Sequence, residues 1–214
     1  IVPNGYDLKF FKFKESQKLY FHNKLKIKKK IPLIGLVARY DPMKDHINFL
    51  DAISILNKKN HLFFCILAGH NINKNNKNLI YEIKKRKLTN SVKLLGQINN
   101  IPQLMNILDL HVLSSEYGEG FPNVIAEAML SGTPCVATNV GDAKLIIGKT
   151  GWIVPKKNPK KLARAIESAL NEMQSKKWKI RCIDAKKRIK HNFSINKMVN
   201  SYNKIWINTL NKNK

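Results

Sequence analysis

"IPLIGLVARYDPMKDHINFLDAISILNKKNHLFFCILAG", residues 31–69, holds the choice of fold. Its two ends, IPLIGLVAR (31–39) and HLFFCILAG (61–69), are short and almost continuously apolar. Runs of that kind cannot turn one face to water, so they read as strands buried on both sides. Between them, KDHINFLDAISILNKK (44–59) places Ile47, Leu50, Ile53 and Leu56 at helical spacing. A buried strand, an amphipathic helix and a second buried strand form a βαβ unit, and the strands of such a unit are parallel.

The same beat continues outward. NKNLIYEIKKRKL (76–88) reads as a helix with Leu79, Ile80 and Ile83 on one side, and VKLLG (92–96) as a third strand. NIPQLMNIL (100–108) is a helix with Pro102 in its first turn, and LHVLSS (110–115) a fourth strand. FPNVIAEAMLSG (121–132) is a helix closed by Gly132, with Pro122 expected in its first turn. PCVAT (134–138) and GWIVP (151–155) supply strands five and six. Residues 157–210 hold only helices, among them one opened by Pro159 and one with Ser194 as N-cap. The expected fold class is therefore α/β, a doubly wound Rossmann-like parallel sheet of about six strands with C-terminal helices. Residues 1–192 form the sheet domain and 193–214 a C-terminal helix.

Composition narrows the function classes. With 43% hydrophobic residues the chain can build a globular core, and no apolar run approaches the roughly 20 residues of a membrane-spanning helix. The start, Ile1-Val2-Pro3-Asn4, carries neither an initiator Met nor a signal pattern, so the chain is expected to be a piece of a longer polypeptide. Cys65, Cys135 and Cys182 show no C-x-x-C spacing, which argues for a reduced, cytoplasmic setting and against a zinc or disulfide framework. Lys and Arg number 39 against 14 Asp and Glu, a formal charge of +25. Such a balance suits an anionic membrane surface, a nucleic acid or an anionic small substrate. It also suits a compositional habit that fills solvent faces with Lys and Asn, as in KLKIKKK (24–30) and NINKNNKN (71–78). Arg is scarce and Lys is spread over the whole length, which argues against a dedicated nucleic-acid face.

In an open sheet of this class, ligands sit beyond the carboxyl ends of the strands. The richest such end is SSEYGEGFPN (114–123). Gly120-Phe121-Pro122-Asn123 leads from a strand into a helix, and a helix start offers unpaired N–H groups and a positive dipole end to an anion. Glu119 lies just before it and Glu127 within it, inside the apolar VIAEAML. A carboxylate there is costly to bury unless it accepts hydrogen bonds. An anion site flanked by acids is the pattern of a nucleoside diphosphate sugar, with the carboxylates on hydroxyls. Taken singly, Glu119 also reads as a helix-start acid and Glu127 as a half-exposed helix residue, and a glycosidase carboxylate pair is a further reading. At the first strand's end, Arg39 offers a planar fork and Lys44 a movable charge for phosphate, or two solvent-facing cations in a Lys-rich chain.

Together NGYD (4–7), VARYDPMKD (37–45), ILAGH (66–70), LLG (94–96), EGFPNVIAEAMLSGTPCVAT (119–138), GWIVP (151–155) and FSINKMVNSYNKIW (193–206) resemble, in order, the C-terminal domain of family 4 retaining glycosyltransferases of the GT-B fold. The resemblance implies that Arg39 and Lys44 bind the donor diphosphate, and that Glu119 contacts the transferred sugar. It implies that Gly120, Phe121, Pro122 and Asn123 form the turn against sugar and phosphate, and that Glu127 holds the ribose. The loops after AG and LLG line the family's base pocket, which adds Gly69 and Gln97. Where the family often reads V-G-G-x-x-E, this chain has Val140-Gly141-Asp142-Ala143-Lys144-Leu145. The implied catalytic set is Glu119, Arg39 and Lys44. The implied donor is a UDP-, GDP- or ADP-sugar, with no metal and no further cofactor, since the chain lacks a D-x-D pair. The implied partners are a glycan or lipid-linked acceptor, an N-terminal GT-B domain against which residues 193–214 pack, and an anionic inner membrane leaflet, in cell-surface polysaccharide or lipopolysaccharide synthesis. No nucleic acid is implied. The competing expectation is a basic membrane-surface or nucleic-acid-binding module without catalysis.

Overall fold

The computed structural model of the chain describes residues 2–11, 23 and 31–212; the lysine run 24–30 lies outside them. Six strands form one sheet: β1 (Leu33–Val37), β2 (Phe64–Ala68), β3 (Val92–Leu94), β4 (Leu110–Leu113), β5 (Cys135–Thr138) and β6 (Trp152–Val154). They pair in the order β3-β2-β1-β4-β5-β6, and every pairing is parallel. This is the doubly wound Rossmann-like arrangement expected from the sequence. Its winding reverses between β1 and β4, and in sheets of this class ligands bind beyond the carboxyl ends of the strands at such a point.

Helices cover both faces because both faces are apolar. Ile34 and Leu36 of β1 pack in one core with α1 (His46–Lys58), α2 (Lys77–Lys85) and α6 (Pro159–Glu172). Leu33 and Leu113 pack in the other with α3 (Ile101–Ile107), α4 (Asn123–Leu130), α5 (Ala143–Ile147) and α7 (Lys176–Asn192). The alternation within β1 is the two-residue period of a pleated strand. Helix α1 turns Phe49 and Ala52 inward along with Leu50, Ile53 and Leu56, while Ile47 is only half-buried. The inward face is wider than the expected stripe because α1 also packs on α6.

Several sequence expectations shift. The segment 121–132 is helical only over Asn123–Leu130, and Pro122 stands at the N-cap (φ −69°, ψ 91°), outside the first turn. The Phe-Pro pair holds an extended backbone there, as the residues flanking proline favour. Helix α5 was not expected; its five residues are too few to show a period. The Asn-rich stretch 71–78 is more than surface filling. Asn76 donates from Nδ2 to the Asn71 carbonyl (2.9 Å) and accepts at Oδ1 from the Leu79 N–H (3.0 Å), capping α2. Asn73 Oδ1 accepts from the Asn75 N–H (2.8 Å).

A kink at Phe193 and Ser194 separates α7 from α8 (Ile195–Lys212), and Ser194 Oγ accepts the Lys197 N–H at 3.4 Å. The N-terminal segment is pinned at this kink: Tyr6 N–H donates to the Phe193 carbonyl (2.9 Å) and the Ile195 N–H to that of Tyr6 (3.0 Å). Beyond the kink, α8 leaves Val199, Tyr202, Trp206 and Leu210 exposed. Among the described residues no helix is long and apolar enough to cross a membrane. Cys65 and Cys135 are buried thiols, both pushed up in pKa by burial.

Not every core residue is apolar. His111 of β4 is fully buried, paired with Gly35 of β1 and Cys135 of β5. Neither ring nitrogen has a hydrogen-bond partner among the described residues, and burial lowers its pKa from 6.5 to about 3. The folded state therefore keeps the ring neutral while the unfolded chain protonates it near 6.5. Stability from this site is complete above that pH and drains away as the pH falls toward 3. In urea denaturation, His111→Leu should lose about 2 kcal/mol less stability than the parent chain between about pH 8 and 5.

Candidate functional site

The site grows from the turn that follows β1. Asp41 caps the 3-10 turn Pro42–Lys44, accepting the Met43 N–H at 3.0 Å. That bond, and then the Arg39 guanidinium (Nε to Oδ2, 3.1 Å), hold the Asp41 carboxyl below its ordinary pKa. Arg39 also lays a terminal nitrogen 3.1 Å from the Met43 sulfur. Asp45 adopts the left-handed conformation (φ +44°), ending the turn and capping α1 through the Asn48 N–H (3.0 Å). The turn therefore points the Lys44 side chain back toward the neighbouring strand's end.

There it meets Glu119. Lys44 Nζ lies 2.5 Å from Glu119 Oε1, with the side chains 14% and 8% exposed. Ser115 Oγ donates to the same oxygen at 2.5 Å. Ser115 is itself held, for its carbonyl accepts the Thr138 hydroxyl at the end of β5 (2.6 Å). Two more bonds sew the turn to the loop after β4: Ser114 Oγ donates to the Lys44 carbonyl (2.8 Å), and the Glu116 N–H to that of Met43 (2.8 Å). Gly118, at φ +73°, passes so near Met43 that an added Cβ would fall 2.5 Å from its methyl group. The loop after β5 closes the third side. Asp142 N–H donates to the Gly120 carbonyl (2.8 Å), and a Cβ on Gly141 (φ +54°) would lie 2.3 Å from the Glu119 carbonyl oxygen. Only glycine satisfies both conditions there.

Helix α4 starts beside this cluster with no side chain capping its N-terminus. Asn123, its first residue, spends its side-chain oxygen on Tyr6 Oη (2.6 Å) and Asn4 Nδ2 (2.9 Å). Phe121 packs edge-on against Phe193, ring centres 5.5 Å apart. Glu127 lies one turn after Asn123, and burial raises its pKa.

The structure thus joins Lys44 to Glu119, sets Arg39 on the same turn, and presents Gly120, Phe121, Pro122 and Asn123 as the lead into α4. The reading of Glu119 as a helix-start acid fails: it precedes the helix and pairs with Lys44. Gly69 and Gln97 lie at the ends of β2 and β3, away from the ion pair in the strand order. Gly69 is glycine for a packing reason, since a Cβ would sit 2.1 Å from the Ala38 carbonyl oxygen. The Gln97 side chain is exposed. Ser115, Thr138, Gly141 and Tyr6 are the members that sequence reading missed. Ser115 lay within the strand-end segment already singled out, but its target appears only once β4 and β5 are in register. Among the described residues no three His, Cys, Asp or Glu side chains cluster closely enough to hold a metal ion.

A buried-edge cation and carboxylate, a second cation, an open helix start and a further acid one turn on can together hold a phosphorylated, hydroxyl-bearing ligand. Residues 17–188 match the family model of the glycosyl transferases group 1. The chain belongs to that family. It is similar to the UDP-Gal:alpha-D-GlcNAc-diphosphoundecaprenol alpha-1,3-galactosyltransferase of Escherichia coli, at 29% identity over 153 residues, which are 69% of this chain and 38% of that protein. Among solved structures it is similar to Anabaena HepE in complex with UDP and glucose (26% identity, TM-score 0.84), covering 96% of this chain and 55% of that one. The fold also matches the C-terminal domain of the group 1 glycosyl transferase LpcC from Francisella tularensis (24% identity, TM-score 0.72), covering 89% of this chain and all of that one. The sheet and helices are thus those of a GT-B glycosyltransferase domain. The chain spans 38% of the galactosyltransferase's length and about half of HepE's.

The ion pair should be measurable as a stability effect. Removing one partner strands the other's charge in a largely dry site. Lys44→Met is expected to cost about 1–3 kcal/mol in urea denaturation, discounted from the fully buried case for its partial exposure. Adding Glu119→Gln to that variant should restore at least half of the loss.

Proposed function

We propose that this chain is the donor-binding, C-terminal domain of a family 4 retaining glycosyltransferase, and that it holds a UDP-sugar in the crevice between β1 and β4. The observation that carries the reading is the Lys44–Glu119 contact, a cation and a carboxylate brought together from different strands where the winding reverses. The complexes of HepE with UDP and glucose and with UDP-glucose support the choice of nucleotide.

In this reading Arg39, Lys44 and the first N–H groups of α4 face the diphosphate. As the bond between the sugar's anomeric carbon and the phosphate oxygen breaks, negative charge gathers on the diphosphate. Arg39 and Lys44 are held in place beforehand by Asp41, Met43 and Glu119, which limits the reorganisation needed. Glu119, steadied by Ser115, accepts hydroxyls of the transferred sugar, and Glu127 those of the ribose. The acceptor hydroxyl bonds to the anomeric carbon on the face that the phosphate leaves, and its proton passes to the departing phosphate oxygen. No metal takes part in this scheme. The loops bearing Gly69 and Gln97 line the base. The acceptor is a glycan or a lipid-linked sugar, as for the E. coli relative named above, in cell-surface polysaccharide or lipopolysaccharide synthesis at the cytoplasmic face of the membrane. An N-terminal GT-B domain completes the enzyme and covers the apolar side of α8, so the isolated domain binds donor but transfers little.

Calorimetry tests the assignment. UDP should bind, and Lys44→Ala should weaken it about 10- to 100-fold, the scale of a charge-assisted hydrogen bond. Glu127→Ala should weaken UDP while sparing inorganic pyrophosphate. The raised pKa of Glu127 adds a pH signature: its carboxylate accepts hydroxyls only when ionised, so UDP affinity should fall as the pH drops through a value above the ordinary 4.5. Absence of UDP binding, with salt-sensitive binding to anionic vesicles or duplex that ignores Glu119 and Glu127, would replace this reading with that of a charge-driven surface module.

A further inference from the structure

The N-terminal segment does more than lie against the domain. Tyr6 is almost fully buried, and its hydroxyl donates to Asn123 Oδ1 at 2.6 Å. Asn4 Nδ2 donates to the same oxygen at 2.9 Å. The Tyr6 ring lies 6.4 Å from that of Phe121, which in turn meets Phe193. Residues 121 and 123 are the two ends of the turn that opens α4. The tie is tight along its backbone as well: Gly5 runs so close to α8 that an added Cβ would be 2.8 Å from the Ile195 Cα and the Met198 Cβ.

Asn123 and Glu127 are four residues apart on α4 and so share a face of it. Tyr6 sits beside both. It bonds to the first, and the negative charge of the second, after burial, helps to keep the Tyr6 hydroxyl protonated. A protonated phenol is the form that can donate to Asn123. Helix α4 has no side chain capping it, so its first turn takes its alignment from outside the helix. The side chain of Asn123, which could have turned toward a ligand at the helix start, is committed instead to the N-terminal segment.

We propose that Tyr6 is a positioning residue for the donor site, acting through Asn123 to fix the first turn of α4 where the diphosphate binds. This rests on the donor-site reading above. Tyr6 touches no part of the ligand; it sets the direction of the N–H groups that do. It also makes the N-terminal segment part of the donor site, so a displacement of residues 4–6 is felt at α4.

Calorimetry of the unaltered chain, Tyr6→Phe, Asn123→Ala and the double variant with UDP provides the test. Tyr6→Phe keeps the ring and removes the hydroxyl. It should weaken UDP about fivefold, the equivalent of one hydrogen bond, and weaken inorganic pyrophosphate by a similar factor. The double variant should be no weaker than Asn123→Ala alone, because the two residues act in series. In two-dimensional amide spectra at 25 °C, the ligand-free Tyr6→Phe chain should differ mainly over residues 4–6 and 121–127, whereas a general loosening would spread through both cores. Unchanged UDP affinity in Tyr6→Phe, or losses that add in the double variant, would overturn the role of Tyr6 and leave the donor site standing. Failure of the unaltered chain to bind UDP would remove both. Should Tyr6→Phe not fold, Asn4→Ala removes the second donor to the same oxygen; it should weaken UDP about twofold, and no change would count against the proposal.

Discussion

Everything distinctive about this domain's carboxyl edge hangs on one contact, the ammonium of Lys44 against the carboxylate of Glu119. A charge pair so little exposed survives only where its surroundings are fixed in advance. Here they are fixed from three strands at once. The turn after β1 delivers the lysine, the loop after β4 delivers the acid, and Thr138 at the end of β5 anchors the serine that steadies it. The lysine meets the acid only because β1 and β4 are neighbours, and the serine is anchored only because β5 lies beside β4, so the site is a direct product of the sheet's strand order.

The electrostatics are uneven by design of the chain rather than by its net charge. A surplus of lysine surrounds the molecule, yet the acids at this edge are each treated differently. Asp41 is held ionised by a backbone N–H and Arg39, Glu119 is matched by a cation, and Glu127 is driven toward protonation by burial alone. A basic chain can keep such carboxylates because local partners, not the distant field, decide the outcome at these separations.

The sequence was most legible where a physical rule acts over a few neighbouring residues. Apolar runs too continuous to face water marked β1, β2 and β4, and the alternation with amphipathic helices disclosed a parallel sheet. The pairing of strand-end residues was legible in part: Arg39, Lys44 and Glu119 were picked out by chemistry, and the fold set the last two in contact. What stayed hidden depends on register or on distance along the chain. Ser115 and Thr138 are unremarkable residues until their strands align, and Tyr6 finds Asn123 across 117 positions. Helix α5 is too short for periodicity, and the placement of Pro122 outside α4 turns on one residue's backbone angles, which residue preference does not resolve.

The asparagine-rich loop 71–78 carries a separate lesson. Its hydrogen bonds close within itself, and its base is clamped where Gly69 slides past Ala38 and where the Gly96 N–H reaches the Ile72 carbonyl. The segment is braced as well as clamped, with Ile72 fully buried in the core and Asn76 capping α2. Its neighbour in the sheet is the turn after β1, where the Tyr40 N–H reaches the His70 carbonyl (2.8 Å), so a change at its root is passed to the segment that carries Arg39 and Lys44. A composition that looks like drift is therefore constrained at Asn71, Asn73 and Asn76, whose hydrogen bonds shape the loop and cap the helix that follows.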